Sequence, residues 1–409
     1  MILFFREAGP VLRALTRSRA GAVLIALQCA ITLAILTNAI FIIQDRVRQM
    51  SRPSGVDSDN VFAIRVMPFK PGFNLANDID RDLRALRALP GVVDASVINA
   101  LPVSGGGSSG RLFANLADVK PGGGQFTANY FTDENGLNTL GLKLIAGRTF
   151  RPEEVQRLQP SEERGEASVI LSQALAQKLY PGGEAVGKLA YRDDGTPLQV
   201  VGVVERLQAP WLNFGELEHG TMVSQYNLEP AYLRYIVRTQ PGQRESLMAQ
   251  VEKTLQALDA DRIVRSPRTQ TEVEAETYTQ YRAMAVILGV VIVLIVVITG
   301  LGIVGLASFN VNARKKQIGT RRALGAQKSD IVRYFLVESW LITTAGALLG
   351  TGLSFGLSYW MVNTFDLPPL DWRYLPVGVV FLWVLGQVAV LVPARRASQL
   401  PPALATRSV

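Results

Sequence analysis

The 409-residue chain has one cysteine and one histidine, and only 19% of its residues are charged. With Cys29 alone no intrachain disulfide can form, so any large domain must be stable without one. With His219 alone a metal site of several histidines is excluded, and no Ser/His/Asp set is in view; His219 reads as an ordinary surface or turn residue. A nucleophile elbow, a metal-binding helix motif and a genuine Walker sequence are also missing. The chain therefore does not read as an enzyme, and no cofactor or metal is expected on it.

What the chain has in quantity is apolar sequence, 48% of its residues, gathered into blocks. A bilayer is crossed by about 20 apolar residues in a helix. Four blocks qualify, and they predict transmembrane helices over 20–43, 283–309, 335–362 and 374–393. The first is too long for the apolar core of a signal peptide, and Thr37-Asn38-Ala39 is a poor cleavage site, so it reads as a retained anchor.

Basic residues are distributed unevenly around these blocks. Arg6, Arg13, Arg17 and Arg19 precede the first, and Arg314, Lys315, Lys316, Arg321, Arg322, Lys328 and Arg333 lie between the second and third. Arg395, Arg396 and Arg407 follow the fourth, whereas 363–373 carries Arg373 against Asp366 and Asp371. The three basic pieces sum to about +12 and the rest of the chain to about −4. By the positive-inside rule, 1–19, 310–334 and 394–409 are cytoplasmic and both termini face inward. The basic surface faces membrane lipid; nucleic acid is not expected as a partner.

Residues 44–282 then form a large α+β domain on the outer side. Val61–Val66 reads as a strand, Asp78–Gly91 as an amphipathic helix with Ile79, Leu83, Leu86 and Leu89 on one stripe, and Val92–Ile98 as a returning strand. Tyr235–Thr239, Glu245–Asp259 and Asp261–Ser266 repeat that order. Two strand–helix–strand units thus flank a middle insertion. In it, Ser104–Gly110 and Pro121–Gly124 read as flexible loops, Ser172–Gly182 as a helix and Leu198–Leu207 as a buried strand.

Several motifs need weighing. Gly182, Gly187 and Lys188 match the spacing of a phosphate loop, but Leu189 replaces the magnesium-binding hydroxyl and a helix, not a strand, precedes them. Gly300, Gly302 and Gly305 match a dinucleotide fingerprint but lie inside the second apolar block, where glycine serves close helix packing. In the third block, Gly346 with Gly350 and Gly352 with Gly356 make two small-xxx-small steps, facing another helix of the chain or a second subunit. Glu338 is the one acid of that block. It is a candidate functional group by its place in the membrane, or a partner of Arg333 or Arg314 near the interface.

Between the second and third blocks runs NARKKQIGTRRALGA, from Asn312. On a helix, Arg314, Lys315, Arg321 and Arg322 fall in an arc of roughly 120°, with Ile318 at its centre. Gly325 suits a helix end and Ser329 with Asp330 the next helix start. A lipid-facing orientation signal explains the charge but not Ile318 or the spacing of Gly319 and Gly325.

RKKQIGTRRALGAQKSDIVRYFLVES resembles the coupling segment of MacB/FtsX-like ABC transporter permeases, and PARRASQLPPALATR resembles their C-terminal ending. NTLGLKLIAGRTF, LYPGGEAVGK and VVGVV are similar to the family's periplasmic core. The resemblance implies four spans in the inner membrane and a periplasmic domain after the first. It also implies separate cytoplasmic ABC ATPase subunits that bind ATP and magnesium, a second permease copy, identical or not, and possible adaptor and outer-membrane channel partners. It makes Arg314, Lys315, Gln317, Ile318, Gly319, Arg321, Arg322, Leu324, Gly325 and Ala326 the expected ATPase contact, with Ile318 entering a groove of the partner. Gln317 stands where the family usually has Glu, which removes a charge from that contact. Efflux of antibiotics, peptides or other compounds is the favoured output, with lipoprotein release or control of a cell-wall hydrolase as the alternative. A ligand-sensing receptor and a membrane enzyme are the rivals from other classes.

Overall fold

The computed structural model describes residues 19–69, 74–160, 162, 164–212, 217–229, 233–365 and 367–401. Arg6, Arg13, Arg17, Asp366 and Arg407 lie outside them. The chain divides into two compact units, one of Met1–Met50 with Tyr281–Val409, the other of Ser51–Gln280.

The helices in chain order are α1 (Arg19–Met50), α2 (Leu75–Arg87), α3 (Gly136–Leu140), α4 (Gln173–Leu179) and α5 (Arg244–Leu258), then α6 (Gln270–Thr277), α7 (Thr279–Ala313), α8 (Lys315–Ala323), α9 (Lys328–Phe365) and α10 (Tyr374–Ser398). The four long ones, α1, α7, α9 and α10, are apolar and long enough to cross a membrane. Their ends run past the apolar blocks at several points, α1 by seven residues to Met50 and α9 by seven at its start, Lys328. Gln, Arg and Lys extend a helix as well as Leu does, so hydropathy marks the buried stretch and not the helix end.

In the first unit α1 lies along α9. Gly346 and Gly350 make the approach possible: a Cβ on Gly346 would stand 2.7 Å from Ala26 O and from Cys29 Cβ, and one on Gly350 would stand 2.9 Å from Ala30 O. Polar bonds fix the register in a setting without water to compete. Thr37 Oγ1 donates to Ser354 Oγ at 3.1 Å, and Asn38 Nδ2 donates to Ser354 O at 3.1 Å. Thr32 and Thr299 join α1 to α7 at 2.7 Å, and Trp383 Nε1 joins α10 to Thr344 at 3.1 Å. The remaining face of α7, with Val286, Ile287, Val293 and Leu301, is exposed and apolar, as a lipid-facing surface must be.

The second unit is α+β. Its strands are β1 (Val61–Ile64), β2 (Val66–Pro68), β3 (Val92–Ile98), β4 (Ser108–Leu112), β5 (Gln125–Phe131), β6 (Leu144–Gly147), β7 (Gln156–Leu158) and β8 (Ala167–Ser172). There follow β9 (Leu189–Tyr191), β10 (Pro197–Val204), β11 (Gly220–Val223), β12 (Gln225–Asn227), β13 (Arg234–Thr239), β14 (Arg262–Val264) and β15 (Arg268–Thr269).

A four-stranded sheet has the order β15-β1-β13-β3. With α2 between β1 and β3 and α5 after β13, this is a split β-α-β, ferredoxin-like layout. The two flanking segments therefore interleave: β13 lies between β1 and β3 and runs antiparallel to both. Asp261–Ser266 does not close the second unit in this sheet. Its strand β14 pairs with β2 in a separate ribbon, and β15 takes the edge position beside β1. Both faces of β1 and β13 are covered, with Phe62, Ile64 and Val237 in one core cluster and Ala63 and Ile236 in another. That is why these strands read as unbroken apolar runs.

Everything between β3 and β13 is an insertion built on a second, mixed sheet of order β4-β5-β11-β8-β10-β6, with β9 on β10. Ser172 caps α4, its hydroxyl accepting from Leu175 N at 3.4 Å. Two expectations change here. Ser108–Gly110 is not loop but the start of β4, held by Asn129, Ala128 and Thr127 of β5. His219 is buried, not a surface residue, with Nδ1 3.1 Å from Phe126 O.

Candidate functional site

The basic segment is a short helix between two long ones. α7 ends at Ala313, Arg314 breaks the helical path with φ −105° and ψ 13°, and α8 occupies Lys315–Ala323. Gly325 then takes φ +97°, a conformation only glycine adopts cheaply. Gly325 N donates to Arg322 O at 3.2 Å and Ala326 N to Arg321 O at 3.0 Å, the two bonds of a Schellman ending. Asp330 Oδ2 accepts from Gln327 N at 3.0 Å and starts α9. The spacing of Gly325 and Asp330 thus fixes a sharp reversal.

The helix sits the other way round from its expected orientation. Ile318 is 5% exposed and Gly319 is buried; Ile318 belongs to the cluster that holds Ile331, Phe335, Ala394 and Ala397 of the chain itself. It is therefore not presented to a partner's groove. The centre of the basic arc points inward, and its arginines reach round the buried isoleucine. Arg314 Nη1 donates to Glu338 Oε2 at 3.1 Å and to the Tyr334 hydroxyl at 3.2 Å. The Arg321 guanidinium lies 5.0 Å from the centre of the Tyr334 ring. Arg322 is half-buried with its Nε inaccessible to water.

The expected contact set accordingly divides. Lys315, Gln317, Arg321, Leu324 and Gly325 are exposed, Leu324 at 83%. Arg314, Arg322 and Ala326 are intermediate, and Ile318 and Gly319 are interior. Glu338, left open between two roles, is 4% exposed and paired with Arg314, while Arg333 bonds Asp330 at 2.9 Å. The glycine steps divide as well: Gly346 and Gly350 meet α1, whereas a Cβ on Gly352 or Gly356 would meet nothing within 4 Å. Tyr334, which bridges Arg314 and Arg321, escaped notice because an isolated tyrosine near a membrane edge reads as an interface anchor.

A family profile described as the MacB-like periplasmic core domain matches residues 23–254, and one described as the FtsX-like permease C-terminal domain matches residues 289–402. The chain belongs to the MacB/FtsX-like ABC transporter permeases. Four apolar helices with a MacB-like core fit an inner-membrane protein of this family.

Among related proteins, a macrolide export ATP-binding/permease protein MacB of Chromobacterium violaceum is 26% identical over 277 residues, 64% of this chain and 40% of the relative. The MacB of an Azoarcus species is 24% identical over 371 residues, 86% of this chain and 52% of the relative. The ABC transporter permease YknZ of Bacillus subtilis is 22% identical over 285 residues, 66% of this chain and 67% of the relative. The chain thus spans about half the length of the MacB relatives it matches. Among solved structures, the periplasmic region of MacB from Actinobacillus actinomycetemcomitans is 12% identical, with a TM-score of 0.32 over 57% of this chain and 98% of that one. The extracellular domain of YknZ is 17% identical, with a TM-score of 0.32 over 50% of this chain and 100% of that one.

Proposed function

We propose that this permease is the membrane subunit of an ABC system in which a separate cytoplasmic ATPase binds ATP and magnesium and drives movement of the periplasmic domain, with efflux as the output. The observation that carries the reading is the exposed face of α8. Lys315, Gln317 and Arg321 are exposed on a helix that is tied to α9 through Arg314 and Glu338. A partner that moves α8 therefore moves a membrane helix with it.

In this reading α8 faces the cytoplasm, as do both termini, and its basic side chains meet acidic groups of the ATPase. Gln317 in place of the usual Glu leaves that contact more positive. The open Gly352 and Gly356 on α9 are the surface assigned to a second permease, identical or not. Export of antibiotics, peptides or other compounds is the output of this reading, supported by the export named in the MacB relatives, with a periplasmic adaptor and an outer-membrane channel as its further partners.

The test is recovery of an ATPase with the full chain from gentle detergent. We expect an ATP-binding subunit to accompany the wild type and to be reduced at least tenfold by Lys315→Glu with Arg321→Glu, while membrane insertion is unchanged. Equal recovery with both charges reversed would sink the coupling role of α8. Recovery of an adaptor alongside would support efflux.

A further inference from the structure

Several arginines of the core domain are matched by acids, among them Arg157 with Asp80, Arg238 with Asp57, Arg148 with Glu154 and Arg262 with Asp82. Three that are not lie side by side. Arg65 follows β1, Arg234 opens β13, and Arg265 follows β14; none makes a side-chain hydrogen bond or ion pair among the described residues. Strand pairing sets them in a row. Ile64 pairs with Tyr235, which puts Arg65 beside Arg234, and Arg65 O accepts from Arg265 N at 2.9 Å on the other side.

Like charges placed opposite one another across strands destabilise a sheet. Arg234 carries the sharpest cost, because its Nε is shielded from water and has no partner. Burial, with the Arg65 charge beside it, pushes the Arg234 guanidinium down to about 10. A counter-charge from outside the chain would relieve that repulsion.

There is room for that ligand. Two adjoining clefts of about 480 and 740 Å³ share Arg65, Gly106 and Arg234 in their walls. Arg164, stacked 4.1 Å from the centre of the Phe131 ring, stands in the first, and Arg265 in the second. Among the described residues the acids lining the two clefts are Glu229 and Glu276, and Glu276 is already held by Arg268. A Cβ on Gly105 or Gly106 would meet nothing within 4 Å, so this edge of the opening carries no side chain. All this lies in a part of the chain whose residues outside the three membrane-flanking basic pieces sum to about −4, so the positive cleft is local.

We infer that this cleft binds a phosphate group, held by Arg65, Arg234 and Arg265. A single carboxylate brings one charge to three guanidiniums, whereas a phosphate monoester brings close to two with three acceptor oxygens that suit their planar forks. The group belongs to a soluble phosphate monoester or to the monoester headgroup of phosphatidic acid, which share this chemistry.

The experiment is calorimetric titration of the full chain, purified in detergent without phosphate, with inorganic phosphate and with glycerol 3-phosphate. The expected result is saturable binding that is weakened at least tenfold in Arg65→Gln/Arg234→Gln and unchanged in Arg84→Gln, an exposed arginine of α2. The double variant should melt no lower than the wild type without ligand, since repulsion is removed, and should gain less from added phosphate. Should it fail to fold, Arg265→Gln, on an exposed side chain, must weaken binding severalfold by itself. Repeating the titration in nanodiscs separates the two sources. Weaker phosphate binding in discs containing phosphatidic acid than in phosphatidylcholine discs marks a headgroup, and equal binding marks a soluble ester. Absence of saturable binding in the wild type, or equal binding in the double variant, overturns the assignment.

Discussion

Arg314 and Glu338, 24 positions apart in sequence, form an ion pair of 3.1 Å between the start of α8 and the body of α9, with Glu338 only 4% exposed. The pair closes the hairpin that α8 and α9 make around Gly325, and the Tyr334 hydroxyl sits within reach of the same guanidinium.

Breaking this pair from one side leaves a charge in a place built for two. Removing one partner of a buried pair costs about 3–5 kcal/mol, whereas replacing both by apolar residues is near neutral. We expect Arg314→Ala to shorten the thermal half-life of the detergent-solubilised chain more than Glu338→Gln does. Arg314→Leu with Glu338→Leu should recover most of the loss. An Arg314→Ala variant as stable as the wild type would show that the pair is solvated.

The glycines of α9 predict opposite outcomes on one helix. Gly346→Ala places a methyl against the Ala26 carbonyl and must push α1 away, whereas Gly352→Ala meets only open space. Helix propensity alone favours Ala over Gly by about 1 kcal/mol. Melting in detergent should therefore fall for Gly346→Ala and hold or rise for Gly352→Ala.

Asp82 is the anchor of the core domain's helical layer. Fully buried, it accepts from Arg262 Nη1 at 2.5 Å and from the Tyr235 hydroxyl at 2.9 Å, joining α2 to β13 and β14. Arg262 also donates to Leu255 O at 2.5 Å, which ties α5 to β14. Asp82→Ala strands a buried guanidinium and should cost about 3–5 kcal/mol, read as a lowered denaturation midpoint. Arg157→Ala, which breaks an exposed pair with Asp80, should cost no more than about 1 kcal/mol.

Asp133 gives the core domain a pH dependence of definite sign. Burial pushes its carboxyl up to about 7, against the lowering effect of the Ser96 hydroxyl, which donates to it at 2.5 Å, and of Arg87. The native state then holds a proton that the unfolded chain releases near pH 4, so this group's contribution to stability falls as pH rises from about 4 to 7. Melting at pH 5 and pH 8 should differ more for the wild type than for Asp133→Asn. Identical pH slopes would show the carboxyl to be ionised throughout.

Four membrane helices were legible because hydropathy acts over twenty residues at a time, as in the charge-free stretch from Ala283 to Phe309. The order β15-β1-β13-β3 was not, because β1 and β13 are about 170 positions apart and nothing local in Val61–Ile64 names its neighbour. The α8 segment was legible in outline and inverted in orientation. A wheel sorts residues by angle but does not say which arc faces the protein, and long basic stems let Ile318 at the centre of the arc pack inward while Lys315 and Arg321 stay exposed. Ile318 itself was the signal: one apolar residue amid charges marks the buried line.

The edge strand β15 has only two residues, and Phe62 and Ala63 of β1 pair with Thr269 and Arg268 in antiparallel register. The strand nearest the start of the domain and the strand nearest its end are thus direct neighbours. Tension that draws those two chain ends apart opens this ladder like a zipper, one rung after another, instead of shearing several rungs at once. The pairing of β13 with β3 stays outside that line of force, so the domain has a cheap first step of yielding at its edge while its interior remains folded.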